Sequence, residues 1–173
     1  MELVLVMAVA LALVAIGAPS FSNLLSSSRA SEAARLVERQ LQTARLKAVT
    51  TARTLRVRLS CPAAGQLRIL EVTGVGTTDN ASNRCDPAVY PSPGPRDALR
   101  ATPSLDSPVV YLPPGTTIAG SVQQFQFDPR GSVSSVDAAG GTAALVGDVT
   151  LTITREGWTH IVRVNAVGRI SVD

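Results

Sequence analysis

Apolar and polar positions divide this chain into three stretches. Residues 3–18 (LVLVMAVALALVAIGA) carry no polar or charged side chain, a run a little short of the roughly 20 residues that cross a bilayer. From residue 30 the pattern changes. Ala30, Ala33, Ala34, Val37, Leu41, Ala44 and Ala48 recur at intervals of three and four, which puts them on one helical face. Arg35, Arg39, Leu46 and Arg53 point the other way. Pro19 lacks an amide donor and predicts a kink or a loosened turn between the two halves. Residues 3–51 together predict one helix of roughly 70 Å at 1.5 Å per residue. Its stripe of small residues invites close packing, with a sheet of the same chain as partner.

Beyond residue 54 the period drops to two. Leu55-Arg56-Val57-Arg58-Leu59 alternates strictly, predicting a strand with its aliphatic side inward and its arginines outward. A turn at Ala63-Ala64-Gly65 leads to a partner strand over 66–72. Residues 74–108 are rich in Gly, Asn, Asp, Ser and Pro, and Pro87, Pro91, Pro93, Pro95, Pro103 and Pro108 keep them out of regular structure. A connection of that length is usually functional or mobile. Strands are expected again at 109–112, 116–119, 123–128 and 132–136. A turn at Gly140-Gly141 follows, then a hairpin of 148–155 and 159–165 about Glu156 and Gly157, and a last strand at 169–172. The expected fold is α+β: a long N-terminal helix (1–53, with an apolar half 1–21 and an amphipathic half 22–53) packed on antiparallel sheet in a head of residues 54–173.

Charge sharpens this division. The 173 residues carry a net charge of +3. Residues 29–58 hold Arg29, Arg35, Arg39, Arg45, Lys47, Arg53, Arg56 and Arg58 against Glu32 and Glu38. The excess of positive charge therefore belongs to the helix and the strand leaving it. With three Phe, two Tyr and one Trp, the head must build its core from aliphatic side chains. Cys61 and Cys85 are the two cysteines. One follows a strand and the other lies in a polar loop, which suits a single disulfide in an exported domain. Two unpaired thiols are the alternative, and a metal site lacks further ligands nearby.

At the N-terminus, Met1-Glu2-Leu3-Val4-Leu5-Val6, the Ala/Leu/Val-rich run and Ala18-Pro19-Ser20-Phe21 resemble the start of type IV pilins and type II secretion pseudopilins. Phe127-Asp128-Pro129-Arg130-Gly131 before a β run, and the closing Val167-Gly168-Arg169-Ile170-Ser171-Val172, are similar to the C-terminal half of the GspH/FimT group of minor pseudopilins. The likeness covers the first 55 and the last 50 residues. It implies that Glu2 is the assembly residue, pairing with the N-terminal amine of a neighbouring subunit. An isolated carboxylate at the edge of hydrocarbon is itself costly unless paired or protonated. A secretory signal would instead show basic residues ahead of the apolar run, where this chain has Met1 and Glu2.

The implied partners are other pilin or pseudopilin subunits, met through the N-terminal helix, together with the inner-membrane assembly platform and a prepilin peptidase. Secreted cargo or DNA would be what the filament handles. The implied place is the bacterial inner membrane, with a single pass and a periplasmic head, and then the pilus or pseudopilus. No cofactor is implied.

Little in the chain suggests catalysis. His160 is the single histidine, set by alternation with Trp158 and Val162. No Ser/His/Asp set, carboxylate pair or phosphate-cradling loop stands out, and Asp79, Asn80 and Asp86 do not repeat a calcium-ligand pattern. The functional expectation is a structural subunit of a secretion pseudopilus or type IV pilus. Two alternatives stand beside it. One is a membrane-anchored periplasmic binding domain with no filament. The other is a DNA-binding minor pilin, since certain FimT-like proteins bind DNA through a C-terminal Gly-Arg-x-Arg element. Here Gly168-Arg169-Ile170-Ser171 puts serine in place of the second arginine, removing one phosphate-directed side chain. Arg130, Arg155 and Arg163 compensate only if they share a face with Arg169.

Overall fold

The computed structural model describes the backbone of residues 2–94 and 102–173, and the side chains of residue 7 and of 24–94 and 102–173. Helix α1 runs from Glu2 to Thr51, with Pro19 inside its bounds. The side chains of Glu2 and Pro19 lie outside the described residues, so neither the pairing expected of Glu2 nor the effect expected of Pro19 is addressed there. Among the described residues no helix is long and apolar enough to cross a membrane; most of the apolar run falls outside that set.

After α1 come β1 (Leu55–Leu59), β2 (Gln66–Glu71), a single turn of helix α2 (Gly76–Asp79), β3 (Val110–Tyr111), β4 (Thr117–Gly120), β5 (Gln124–Phe127), β6 (Val133–Val136), β7 (Thr142–Ala144), β8 (Val149–Arg155), β9 (Trp158–Val164) and β10 (Ile170–Val172). They form two antiparallel sheets. One has six strands in the order β3-β2-β1-β5-β6-β7, the other four in the order β10-β9-β8-β4. This is the α+β arrangement expected, with β7 and α2 as additions. The Thr-Ala-Ala of β7 gives too little alternation to read as a strand.

The core is where α1 meets the two sheets. Ala30, Ala33, Ala34, Val37, Leu41, Ala44 and Ala48 are all buried, the stripe that the spacing picked out. All but Ala30 pack with Leu55, Val57, Leu67, Phe125 and Phe127 of the larger sheet and Leu151, Ile153, Val162 and Val164 of the smaller. Five of the stripe's seven positions are alanines, which lets the helix axis come close to the strands. The Phe125 and Phe127 rings, on one face of β5, meet edge to face with centroids 5.8 Å apart, a favoured aromatic geometry. Arg35, Arg39 and Leu46 are exposed as expected. Arg53 is not on the opposite helical face, because α1 ends at Thr51; it pairs with the buried Glu71 at 3.1 Å.

The outward arginines of β1 are the main correction. Arg56 is only 4% exposed and Arg58 is half-buried. Alternation does put them on the face away from the aliphatic core, but that face is not open to water. The segment between β2 and β3 folds over it.

Candidate functional site

Three parts of the head carry groups with something to hold or present: the loop that covers the larger sheet, the turns beside the end of α1, and the exposed side of α1.

The covering loop is organised by arginines. Across β1 and β2, Arg56 lies opposite Leu70 and Arg58 opposite Arg68. Two like charges face to face are unfavourable, and the loop supplies what offsets them. Arg68 donates to the carbonyl oxygens of Ser107 (3.0 Å), Cys85 (3.2 Å) and Tyr90. Arg58 donates to Asp79 O at 3.0 Å and to Gln124 Oε1 at 2.8 Å, and Arg56 to Asn80 Oδ1 at 3.0 Å. Arg84 enters from the loop itself, fully buried. It holds Asp106 through two hydrogen bonds, donates to Glu71 O at 3.0 Å, and stacks on Tyr90 with its carbon 4.5 Å from the ring centre. The fork of donors on a guanidinium suits this mixture of carbonyls and one carboxylate.

Burial lowers the pKa of Arg56, Arg58 and Arg68 from the usual arginine value. Asp79 opposes that shift at Arg56 and Asp106 opposes it at Arg68, whereas Arg56 reinforces it at Arg58.

Cys61, just after β1, forms a disulfide with Cys85 in this loop, with Cα atoms 5.2 Å apart. The three residues considered as a calcium loop are engaged locally. Asp79 accepts from Thr73 N, Thr73 Oγ1 and Gly74 N, and Asp86 accepts from Ala88 N. Asn80 bridges Arg56 to the Ala139 carbonyl.

At the far end of α1 the two C-terminal motifs meet. Asp128 Oδ1 accepts from Arg130 N at 2.8 Å and Ser132 N at 2.9 Å, closing the Asp128-to-Gly131 turn. Asn165 Oδ1 accepts from Arg169 N at 2.8 Å and closes the turn before β10. Val133 N donates to Ala166 O at 2.8 Å, joining the two turns. Arg45 of α1 locks them: Nε donates to Gly131 O (3.3 Å) and NH2 to Val167 O (3.2 Å). Gly168 has φ +77°, and a Cβ there would collide with the Gly131 carbonyl and lie 2.7 Å from Arg45 Nε. Glycine is required for that close approach. Replacing Arg45 by alanine should cost about 1–2 kcal/mol of stability. Hydrogen exchange should then rise at residues 165–168, and unchanged exchange there would refute the clamp.

The arginines weighed as DNA contacts are divided by this arrangement. Arg130 and Arg169 are exposed and flank the Arg45 clamp, and Arg169 lines an open groove with Arg45, Leu46 and Val49. Arg163 is paired with Asp173 at 2.8 Å. Arg155 is buried beside Glu156. His160 is half-buried, in a polar groove with Ser31, Arg35, Glu38, Arg39, Gln42 and Val172 between α1 and the smaller sheet. The tip of the β8–β9 hairpin reaches α1, where Ser26 Oγ hydrogen-bonds the Glu156 carboxylate.

Sequence reading passed over Arg45, Arg68, Arg84 and Asp106. Arg68 falls within the strand expected over 66–72, where alternation alone gives no sign of a buried guanidinium. The other three carry no local signal: Arg84 and Asp106 are 22 positions apart, and Arg45 is 86 from Gly131.

The profile of the family described as "Type II transport protein GspH" matches residues 33–168. No curated protein sequence matches the chain. Among solved structures, the minor pseudopilin EpsH from the type II secretion system of Vibrio cholerae is 12% identical, with 84% of this chain and 94% of that one covered at a TM-score of 0.50. The type IV minor pilin FimU of Pseudomonas aeruginosa is 16% identical, with 88% and 90% covered at 0.49. The EpsH likeness is one of fold. The family match runs from within α1, through both sheets and the turns held by Arg45, to the residue before Arg169, and the chain belongs to the GspH family of type II transport proteins.

Proposed function

We propose that this chain is a minor pilin or pseudopilin subunit, a structural component that enters a filament through α1 while the head faces outward. The observation that carries this reading is how α1 divides. Its buried stripe begins at Ala30, yet the helix starts at Glu2. Among the residues before Ala30 whose side chains are described, none is buried and Met7 is 66% exposed, and the sixteen-residue apolar run lies in this arm of the helix. Leu24 is 68% exposed at its base. An arm so apolar needs lipid or other helices around it, and a filament core of parallel helices supplies the second after the membrane has supplied the first.

Glu2 then acts as the stagger-setting charge, neutralised by the N-terminal amine of the next subunit. The work is mechanical, and the head's buried network serves to keep a rigid outer surface. Replacing Glu2 by alanine should leave a folded, membrane-inserted protein that no longer appears in sheared filaments on immunoblot. Normal incorporation of that variant would remove Glu2 from the mechanism. Incorporation into filaments also separates this reading from a membrane-anchored binding domain that assembles with nothing. The DNA-uptake reading has less support, because Arg163 is neutralised by Asp173.

A further inference from the structure

The tip of the β8–β9 hairpin meets α1 nearer the N-terminus than any charged residue of that helix after Glu2. Residues 3–28 carry no charge, and Arg29 is the next residue that does. Ser26 Oγ donates to the Glu156 carboxylate, so the contact lies inside the uncharged stretch.

The length of that stretch says what surrounds the contact. Its 26 residues rise about 39 Å as helix. A bilayer is about 30 Å thick across its hydrocarbon and about 40–45 Å with both headgroup layers. Counted from Leu3, the hydrocarbon takes about 20 residues. Positions from about 23 to 28 then fall in the far headgroup layer, and any tilt of the helix lowers them further. Ser26, and with it the hairpin tip, belongs to that layer.

The side chains at that level suit it. Leu24 and Leu25 are exposed at the foot of the head, and Trp158 beside the tip is 44% exposed. Alternation puts Trp158 on the face of β9 that carries Val162, in the core, and His160, in the groove beside α1. The indole therefore stands on the side of the sheet where the arm leaves the head. The turn from Pro113 to Thr116 packs next to it, with Gly115 against the Arg155 guanidinium. Across residues 113–116 and 156–159 the single charge is Glu156. Ser26 and Arg155 Nη2, the latter at 3.5 Å, both meet it. A tip whose one acid is already paired enters a headgroup layer without stripping water from a lone ion. An indole, with an apolar body and one N–H donor, is favoured at that boundary.

We propose that the β8–β9 tip is a membrane-seating surface. While the subunit waits in the bilayer, Trp158 lies in the headgroup layer on the head's side, with Leu24 and Leu25 beside it. The partner is a zwitterionic phospholipid surface, since the tip has no unpaired charge to select an anionic one. The tip stands on one side of α1, so seating it fixes the rotation of the head about the arm before filament entry. This inference rests on the membrane step of the filament reading above.

Trp158 is the one tryptophan of the chain, and its fluorescence reports the tip directly. The test places the full chain, one copy per disc, in phosphatidylcholine nanodiscs, whose two faces are both open to solvent. Quenching is measured with phospholipid spin-labelled near the glycerol backbone and with iodide in the water. The reference chain is Trp158→Phe, Val167→Trp, which moves the fluorophore to a position 67% exposed beside the Arg45 clamp, about 28 Å further along α1. The lipid label should lower Trp158 emission at least about twofold and leave the reference unmoved. Iodide should quench Trp158 at least about threefold less than the reference. The proposal is overturned if iodide reaches both alike. It is also overturned if iodide is excluded from Trp158 while the lipid label has no effect, which would place the indole against protein. A chain that does not enter the discs overturns it together with the membrane step, whereas an inserted chain with a water-exposed Trp158 overturns the proposal alone. Glu2→Ala should lose filament entry yet keep lipid quenching of Trp158, so either reading can fail without the other.

Discussion

Asp106→Ala should destabilise the head by about 3–5 kcal/mol, the cost of removing one partner of a buried ion pair. Asp106 is buried with no exposed side-chain surface and holds Arg84 through both carboxylate oxygens, one of them at 2.8 Å. It also accepts from Glu71 N at 2.8 Å and lies 3.9 Å from Arg68. Alanine would leave two buried guanidiniums facing each other with carbonyls alone. Domains of this size are stable by about 5–15 kcal/mol, so the loss would consume much of the margin. Denaturant unfolding of the full chain in detergent measures it, and a change below about 1 kcal/mol would refute the account of the loop. Pairing Asp106→Leu with Arg84→Met should be milder than Asp106→Ala alone, because one buried guanidinium, Arg68, then lacks a carboxylate instead of two.

Removing the disulfide comes next. Cys61 and Cys85 are 24 positions apart, and closing a loop of that length stabilises by about 3.5 kcal/mol in the chain-entropy model. The double variant Cys61→Ser, Cys85→Ser should show a loss of that order by the same unfolding measurement. The cross-link and the Asp106 pair restrain one segment, so their effects should not add. In the variant without the disulfide, Asp106→Ala should cost measurably less than in the parent, since a loop already loosened lets water reach Arg84. Equal costs in the two backgrounds would mean that the covering loop is held by two independent attachments.

The limits of the sequence are clearest at β1. Leu55, Val57 and Leu59 were legible as an inward face because alternation reports which side chains share a face. It says nothing of what lies over the other face. Arg56 and Arg58 read as outward, and the proline-rich segment read as a functional or mobile connection. Its described residues form no strand before β3, but its prolines do not make them loose. Arg84, Asp106 and the disulfide fix it as a third layer over the larger sheet. Around the site, the Asp128-to-Gly131 and Gly168–Arg169 motifs were visible as motifs, while the residue that joins them, Arg45, looked like any other arginine on the outside of α1.

What the sequence determined by itself was local and periodic. The stripe from Ala30 to Ala48, the strand positions other than β7, the hairpin about Glu156 and Gly157 and the apolar arm follow from spacings of three, four and two, which the backbone imposes on any chain. The tertiary structure alone decided which face of a strand is covered, which arginines are buried, and where along α1 the β8–β9 tip comes to lie. Those outcomes depend on carboxylates and carbonyls brought together from distant positions, as when Asp106 meets Arg84 and Gly131 meets Arg45. Pairing of that kind is set by how the whole chain folds back on itself, and no short window of residues encodes it.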